Sequence, residues 1–166
     1  QVYPERMIRM PDMLAPLLQL PPLAPLLGEY EKKGIRIRRA MVPDMRRVTG
    51  WVLTNFGEHW ASECEICFSR RPVSCFIAVE SGEIAGFACY EATNLDFFGP
   101  IGVLESRRSL GIGKGLLIAA LHGMREMGYA YAIIGGVGPI PFYEKAVGAT
   151  LIPESYPGIY ADLLPE

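Results

Sequence analysis

Residues 108–114, Arg-Ser-Leu-Gly-Ile-Gly-Lys, decide the fold of this chain. The apolar run before them, residues 97–104, predicts a strand, and the apolar-periodic run after them, residues 116–127, predicts a helix. The first N–H groups of a helix lack intrahelical partners and carry a partial positive charge. Gly111 and Gly113 leave those groups open to a ligand. The stretch therefore predicts an anion site suited to a pyrophosphate.

Two common phosphate motifs do not fit these residues. A P-loop needs Gly, four residues and Gly-Lys-Ser/Thr, but Gly115 follows Lys114 and Arg108 stands at the upstream glycine position. The dinucleotide fingerprint fails at Leu116, where a small residue is needed. The alternative reading is a glycine-rich turn that only packs a helix on a sheet.

A second motif lies downstream. Residues 129–137 are almost continuously apolar and predict a strand that is buried on both faces. A short helix is predicted next, because Pro139 and Pro141 are tolerated in a first turn and Gly148 suits a helix end. Tyr143 lies near the start of this helix.

Together these motifs resemble a known family. The pattern Arg-x-x-Gly-x-Gly after a strand resembles the coenzyme A loop of the GCN5-related N-acetyltransferase (GNAT) superfamily. The Phe142-Tyr143 pair that opens a short helix, with Gly148 before the next strand, resembles the final motif of the same superfamily. The order and spacing of the two motifs match over about a third of the chain. The chain as a whole is similar to bacterial members.

The resemblance implies an α/β (α+β) fold, with a central mixed twisted sheet of about six to seven strands and helices on both faces. Alternating residues predict a strand over 35–38, and residues 74–79 and 83–90 predict a hairpin. We expect residues 35–166 to form a single acetyltransferase domain. Residues 1–34 are a Pro- and Leu-rich extension that we expect to pack on this core or on a second subunit, as in a homodimer.

The resemblance also implies acetyl-CoA as co-substrate. In the family two central parallel strands splay apart and the pantetheine arm fills the gap. The residues that correspond to the binding surface are Ile101, Gly102 and Val103 on the strand, Arg108, Ser109, Leu110, Gly111, Ile112, Gly113 and Lys114 in the loop, and Phe142 and Tyr143 on the short helix.

The implied reaction is transfer of an acetyl group to a primary amine, by direct attack on the thioester. Tyr143 is the expected general acid for the leaving sulfur. Glu65 is the expected general base, and Glu63, Glu91 and His59 are the other candidates for that role. Glu63, Glu91 and Trp60 are expected around the acceptor, because a carboxylate beside an aromatic ring suits a cationic amine. Solvated surface charges are the alternative for the carboxylates, and ordered water can replace a base.

Two departures from the family keep other functions open. The strand at 97–103 carries no carboxylate where the family often has a Glu, and Gly136 replaces an Asn that is common seven residues before the Tyr. The missing carboxylate leaves a non-catalytic acyl-CoA-binding sensor as an alternative. A protein lysine or N-terminal acetyltransferase is another alternative, because no residue of the sequence identifies the acceptor. Tyr143 favours an enzyme, and we expect its acceptor to be a small molecule.

The composition of the chain indicates which classes of binding partner to expect. A net charge of −2 over 166 residues, half of them hydrophobic, does not suggest nucleic acid or an anionic membrane as a partner, since proteins that bind either usually carry a basic face. The richest apolar run, residues 13–27, is interrupted by four prolines and cannot span a bilayer. We therefore expect a cytoplasmic protein with reduced cysteines.

The four cysteines could instead hold a metal. Cys64 and Cys67 have the C-x-x-C spacing, with His59 nearby, but a structural zinc site usually needs a second such pair. Cys75 and Cys89 are spaced like ordinary apolar residues of strands. The sequence therefore favours the interpretation that the four cysteines are small buried hydrophobic residues that bind no metal.

Overall fold

The computed structural model describes residues 10–165, and the first nine residues of the extension lie outside this range. The described residues form strands and helices, with short 3-10 segments at Val42–Asp44, Glu105–Leu110 and Gly158–Tyr160. The regular elements are β1 (Met13–Pro16), α1 (Leu23–Lys32), β2 (Ile35–Arg39), α2 (Met45–Phe56), α3 (Glu58–Cys67), β3 (Cys75–Glu80), β4 (Glu83–Tyr90), β5 (Phe97–Val103), α4 (Ile112–Glu126), β6 (Tyr131–Ile134), α5 (Ile140–Val147) and β7 (Thr150–Leu151).

Over the described residues, seven strands form one mixed sheet in the order β2-β3-β4-β5-β6-β1-β7. Only β5 and β6 are parallel, and every other neighbouring pair is antiparallel. β1 comes from the extension and inserts between β6 and β7, with Met13 opposite both Ile134 and Leu151. The predicted mixed sheet with helices on both faces is confirmed.

Successive side chains of the strands pack into two apolar cores, one on each face of the sheet. On β4, Ala88 faces the core that α1 and α4 cover, whereas Phe87 faces the core that α2 and α3 cover. This two-sided burial explains why the strand pattern is continuously apolar rather than alternating. No helix in the described part of the chain is long and apolar enough to cross a membrane.

Two predicted boundaries need correction. α4 begins at Ile112, four residues before the predicted start at 116. Its first turns contain glycine, which weakens the helical pattern in the sequence. At Gly115 the glycine is needed, because a Cβ would lie 2.5 Å from Ile37 Cδ1 and 2.6 Å from Tyr30 Cε2.

β6 covers four residues rather than the nine predicted from the apolar run 129–137. The backbone leaves the strand at Gly135 and Gly136, and Gly136 has a φ of +54°. Val137 is nevertheless buried in the core beyond the turn. The prediction of a strand buried on both faces is therefore wrong for this run, because β6 ends at Ile134 and Tyr131 on it is 51% exposed.

Candidate active site

The two parallel strands separate soon after they meet. β5 and β6 pair only at Phe97 with Ile133 and at Phe98 with Ile134, and the Gly135 N–H then reaches the Phe98 carbonyl oxygen at 3.4 Å. β5 continues through residues 99–103 with no β6 partner among the described residues. An unpaired strand edge therefore borders a gap in the middle of the sheet.

The polar groups of Ile101 and Val103 face this gap. The Leu104 N–H donates to the Ala85 carbonyl on β4 at 3.0 Å, so residues 102 and 104 present their backbone groups to β4. Successive residues of a strand present their groups to opposite edges. The backbone groups of Ile101 and Val103 are thus directed away from β4 and toward the gap.

The glycine loop lies where this edge ends. Gly111 precedes α4 with a φ of +71°, a conformation that glycine adopts without steric cost. A Cβ placed on Gly113 would lie 3.7 Å from Phe142 Cζ and 3.8 Å from Val103 Cγ2. The strand end, the N-terminus of α4 and the start of α5 therefore meet at Gly113.

The cationic side chains near the loop differ in whether they are already paired with a carboxylate. Arg108 is exposed in the 3-10 segment with Ser109 and Leu110, and its Nε lies 3.5 Å from the Val103 carbonyl oxygen. Lys114 is also exposed. Arg107 is engaged elsewhere, since its Nε lies 2.5 Å from Glu80 Oε2. Arg108 and Lys114 remain the cations that can turn toward an anion at the loop.

A cleft of about 640 Å³ lies between the end of α2 and this loop. It is lined by Asn55, Phe56, Val103, Leu104, Glu105, Ser106 and Arg108. Its apolar wall is the Phe56 ring, which lies against Gly102: a Cβ on Gly102 would be 2.6 Å from Phe56 Cζ. Because Gly102 has no side chain, the Phe56 ring can lie directly against the backbone of β5.

Tyr143 is buried in the first turn of α5, where its ring contacts that of Phe142 edge-on at 4.9 Å between centroids. Burial raises the pKa of its phenol to about 12. The phenol therefore keeps its proton at neutral pH. Gly148 ends α5 in the left-handed conformation, as its position in the sequence predicts.

A hydroxyl from the extension supports the loop. The Tyr30 hydroxyl donates to the Gly111 carbonyl oxygen at 2.6 Å, and so connects α1 to the residue before α4. Tyr30 was not identified from the sequence, because it is 81 residues from Gly111 and lies in no recognisable motif. Only the packing of α1 on α4 brings the two residues together.

Glu63 is linked by Tyr160 to the point where the strands separate, because the Tyr160 hydroxyl would be 3.5 Å from a Cβ on Gly135. Its Oε1 accepts hydrogen bonds from the Thr93 hydroxyl and, at 3.4 Å, from the Tyr160 hydroxyl. Burial is the main cause that raises the pKa of Glu63. The Tyr160 ring also covers Gly136, because a Cβ there would be 3.7 Å from Tyr160 Cε2. Thr93 and Tyr160 were not identified from the sequence.

The other residues predicted for the base and the acceptor side have different surroundings. Glu65 is exposed two residues further along α3. Glu91 is 2% exposed, and its Oε1 accepts the Asp96 N–H at 2.6 Å across a turn. Trp60 is half-buried and stacks on Phe56, with 5.3 Å between ring centroids. Trp60 therefore supports the Phe56 ring that lines the cleft.

Comparison with protein families identifies the class. Residues 44–149 match the acetyltransferase (GNAT) family, a span that contains β5, the glycine loop, α4 and α5. The chain belongs to the acetyltransferase (GNAT) family. No curated protein matches the sequence significantly.

Solved structures share the fold over 86% of this chain. A GCN5-related glucosamine N-acetyltransferase region of a fungal multi-domain GH3 β-N-acetylglucosaminidase has a TM-score of 0.69 at 15% identity, with 19% of that chain covered. A GCN5-related N-acetyltransferase from Sphaerobacter thermophilus has a TM-score of 0.64 at 22% identity, with 48% covered. A Drosophila protein has a TM-score of 0.60 at 17% identity, with 47% covered. The chain thus spans less than half the length of these three proteins.

Proposed function

We propose that this protein transfers the acetyl group of acetyl-CoA to a primary amine. The unpaired edge of β5 is the observation that carries the proposal. An extended chain of amides can bind such an edge as an added strand does. A pyrophosphate can bind the helix N-terminus where that edge ends. The pantetheine arm and the pyrophosphate of acetyl-CoA have this shape and this order.

The residues present fit that molecule. The backbone of Ile101 and Val103 would pair with the amides of the pantetheine arm, and the bare Gly102 leaves room for the Phe56 ring beside it. The N–H groups from Leu110 to Lys114, assisted by Arg108, would bind the pyrophosphate. A Cβ on Gly113 would meet its nearest neighbours, Phe142 and Val103, at 3.7 Å and 3.8 Å, so this glycine lies where the edge of β5 and the start of α5 meet the loop.

The chemistry requires two proton transfers. The amine nitrogen attacks the thioester carbonyl carbon, a C–N bond forms, the C–S bond breaks, and the sulfur leaves as a thiol. The amine loses one proton to a base, and the sulfur gains one from an acid. We propose Tyr143 as that acid, because its phenol is protonated at neutral pH and lies on the helix beside the gap.

We propose Glu63, rather than Glu65, as the group that receives the amine proton. Glu63 is half-buried at the point where the strands separate, and burial raises its pKa toward the working pH, which suits a base. Glu65 faces solvent. Glu91 receives no acceptor role here, because its buried carboxylate is used within its own turn.

We further propose that the acceptor is a small molecule that reaches Glu63 between α3 and the segment around Tyr160. The carboxylate would attract a cationic amine. The fungal region of similar fold is named a glucosamine N-acetyltransferase, which supports including amino sugars among the amines to test.

A panel assay tests the proposal. Thiol release from acetyl-CoA would be measured with amino sugars, diamines and amino acids, beside peptides with a free lysine or a free N-terminus, and acetyl-CoA binding would be measured in parallel by thermal shift. Turnover of a small amine is the expected result. Binding without turnover on any amine would favour a sensor, and turnover of peptides alone would favour a protein acetyltransferase. Absence of acetyl-CoA binding would contradict the whole assignment.

A further inference from the structure

The four cysteines of the chain converge in one buried cluster. Cys64 and Cys67 lie three residues apart on α3, while Cys75 on β3 and Cys89 on β4 are direct partners across the antiparallel pair. All four are 0% exposed. The two cysteines of α3 thus lie beside two cysteines that face each other across the hairpin. The spacing in the sequence does not predict this arrangement, because the pairing of Cys75 with Cys89 depends on the register of the hairpin.

The spacing of the sulfur atoms is that of ligands rather than of a disulfide. The Sγ atoms of Cys64 and Cys75 are 4.0 Å apart, and those of Cys64, Cys75 and Cys89 all lie within 4.8 Å of one another. A disulfide requires about 2.05 Å. A tetrahedral zinc ion with Zn–S bonds of about 2.3 Å holds its sulfur atoms about 3.8 Å apart. Small side-chain movements would bring the three thiols to that distance.

Cys67 supplies a fourth thiol. Its Sγ lies 3.4 Å from the Glu63 carbonyl oxygen and 3.8 Å from that of Tyr90, the residue after Cys89. A rotation about its Cα–Cβ bond changes the direction of this sulfur while the backbone of α3 stays in place. Structural zinc sites use four such ligands and exclude water, which agrees with the complete burial of the cluster.

We propose that Cys64, Cys67, Cys75 and Cys89 bind one structural Zn²⁺ ion that joins α3 to the β3–β4 hairpin. Each thiol releases its proton to solvent as its sulfur binds the ion, so the site forms together with the fold. The ion takes no part in acetyl transfer. It would fix the helix that carries Glu63 against the sheet, and its presence does not depend on the proposed function.

Metal analysis of the purified protein tests this site. The protein would be expressed with added zinc, purified under reducing conditions and passed over a chelating resin before elemental analysis. We expect one zinc ion per chain in the unmodified protein and its loss in Cys64→Ser, Cys75→Ser and Cys89→Ser. Val48→Ala is the matched control, because Val48 is buried in the same core and removing its methyl groups leaves all four thiols in place.

A measurement on the unmodified chain avoids the risk that a variant does not fold. Protein unfolded with a chelator would be refolded with Co²⁺, and we expect the absorption of thiolate-to-cobalt charge transfer, reversed by Zn²⁺. We also expect zinc to raise the melting temperature of the refolded apoprotein. Refolded protein that shows neither absorption nor a zinc-dependent melt would overturn the site, as would a native Cys75–Cys89 disulfide found by peptide mapping. Acetyl-CoA binding measured on the same samples reports separately on the proposed function.

Discussion

The Tyr30 hydroxyl donates a hydrogen bond of 2.6 Å to the Gly111 carbonyl oxygen. This bond joins α1 to the turn from which α4 begins. The Lys114 N–H donates to the same carbonyl oxygen at 3.1 Å. Two hydrogen bonds therefore fix the orientation of the Gly111 carbonyl. They also help to fix the direction of the neighbouring N–H groups that we propose to bind the pyrophosphate.

We expect Tyr30→Phe to weaken acetyl-CoA binding several-fold, because the turn loses one side of this support. A hydrogen bond of this kind contributes about 0.5–1.5 kcal/mol. Isothermal titration calorimetry would measure the change. Tyr156→Phe removes an exposed hydroxyl from the C-terminal segment and serves as the control. Equal affinities for the two variants would show that the bond does not position the loop.

Gly113 and Gly115, two residues apart on α4, give opposite expectations for substitution by alanine. Gly113→Ala meets only ordinary contacts at 3.7 Å and 3.8 Å, so the protein should fold with undiminished stability but bind acetyl-CoA more weakly, since the methyl group occupies space beside the phosphates. Gly115→Ala places a Cβ 2.6 Å from Tyr30 and 2.5 Å from Ile37, so its melting temperature should fall. Thermal melts with and without acetyl-CoA separate the two effects.

The control for both glycines is Gly50→Ala, which lies in α2 with open space around it. We expect it to leave binding unchanged and to stabilise the helix by about 0.5–1 kcal/mol. Unaltered binding by Gly113→Ala would mean that the loop only packs the helix on the sheet.

Local motifs predicted the glycine loop, the short helix with Tyr143 and the sheet class, because each depends on backbone conformations that glycine and proline fix within a few residues. Contacts between distant segments were not predictable in the same way. Nothing near Tyr30 in the sequence indicates its bond to Gly111, and nothing near Thr93 indicates its bond to Glu63. Both follow from the packing of helices onto a completed sheet.

The extension illustrates the same limit. Its leucines indicated burial, but only the sheet shows that Met13–Pro16 is an inserted strand. Four residues with two prolines nearby carry no strand periodicity that could be recognised. Their pairing partners, β6 and β7, lie more than a hundred residues away in the sequence.

The pH dependence of turnover should report on Glu63. A carboxylate base acts when deprotonated, so activity rises with pH through its pKa. Burial raises the pKa of Glu63, so this rise should lie at a higher pH than for an exposed glutamate. The Thr93 hydroxyl lowers the pKa of Glu63, so Thr93→Val should move the rise to higher pH. Profiles of kcat/KM with one chosen amine would show the shift.

Glu63→Gln should remove this step from the profile and lower kcat/KM by about 10²–10⁴-fold. Glu65→Gln is the matched control, because it removes an exposed carboxylate from the same helix. Similar losses in both variants, or none in Glu63→Gln, would assign the proton to ordered water instead.

Tyr143→Phe should lower kcat while leaving the affinity for acetyl-CoA within a few-fold. The phenol is needed only as the sulfur leaves, so its loss affects the transition state rather than the bound ground state. The ring remains to pack against Phe142 in the core. Stopped-flow measurement of thiol release, with Tyr131→Phe as an exposed control, would test this. A full kcat in Tyr143→Phe would exclude the phenol as the acid.

The neighbouring leucines Leu17 and Leu18 test whether the extension is part of the domain. Leu17 directly follows β1, is 0% exposed, and its N–H donates to the Ala130 carbonyl oxygen at 2.9 Å. Leu17→Ala should therefore lower the free energy of unfolding by about 2–5 kcal/mol, through lost burial and the cavity left behind. Leu18 is 61% exposed, and Leu18→Ala should change it by no more than about 0.5 kcal/mol. Urea unfolding followed by circular dichroism would measure both. Equal, small effects would show that the segment contributes little to the stability of the folded domain.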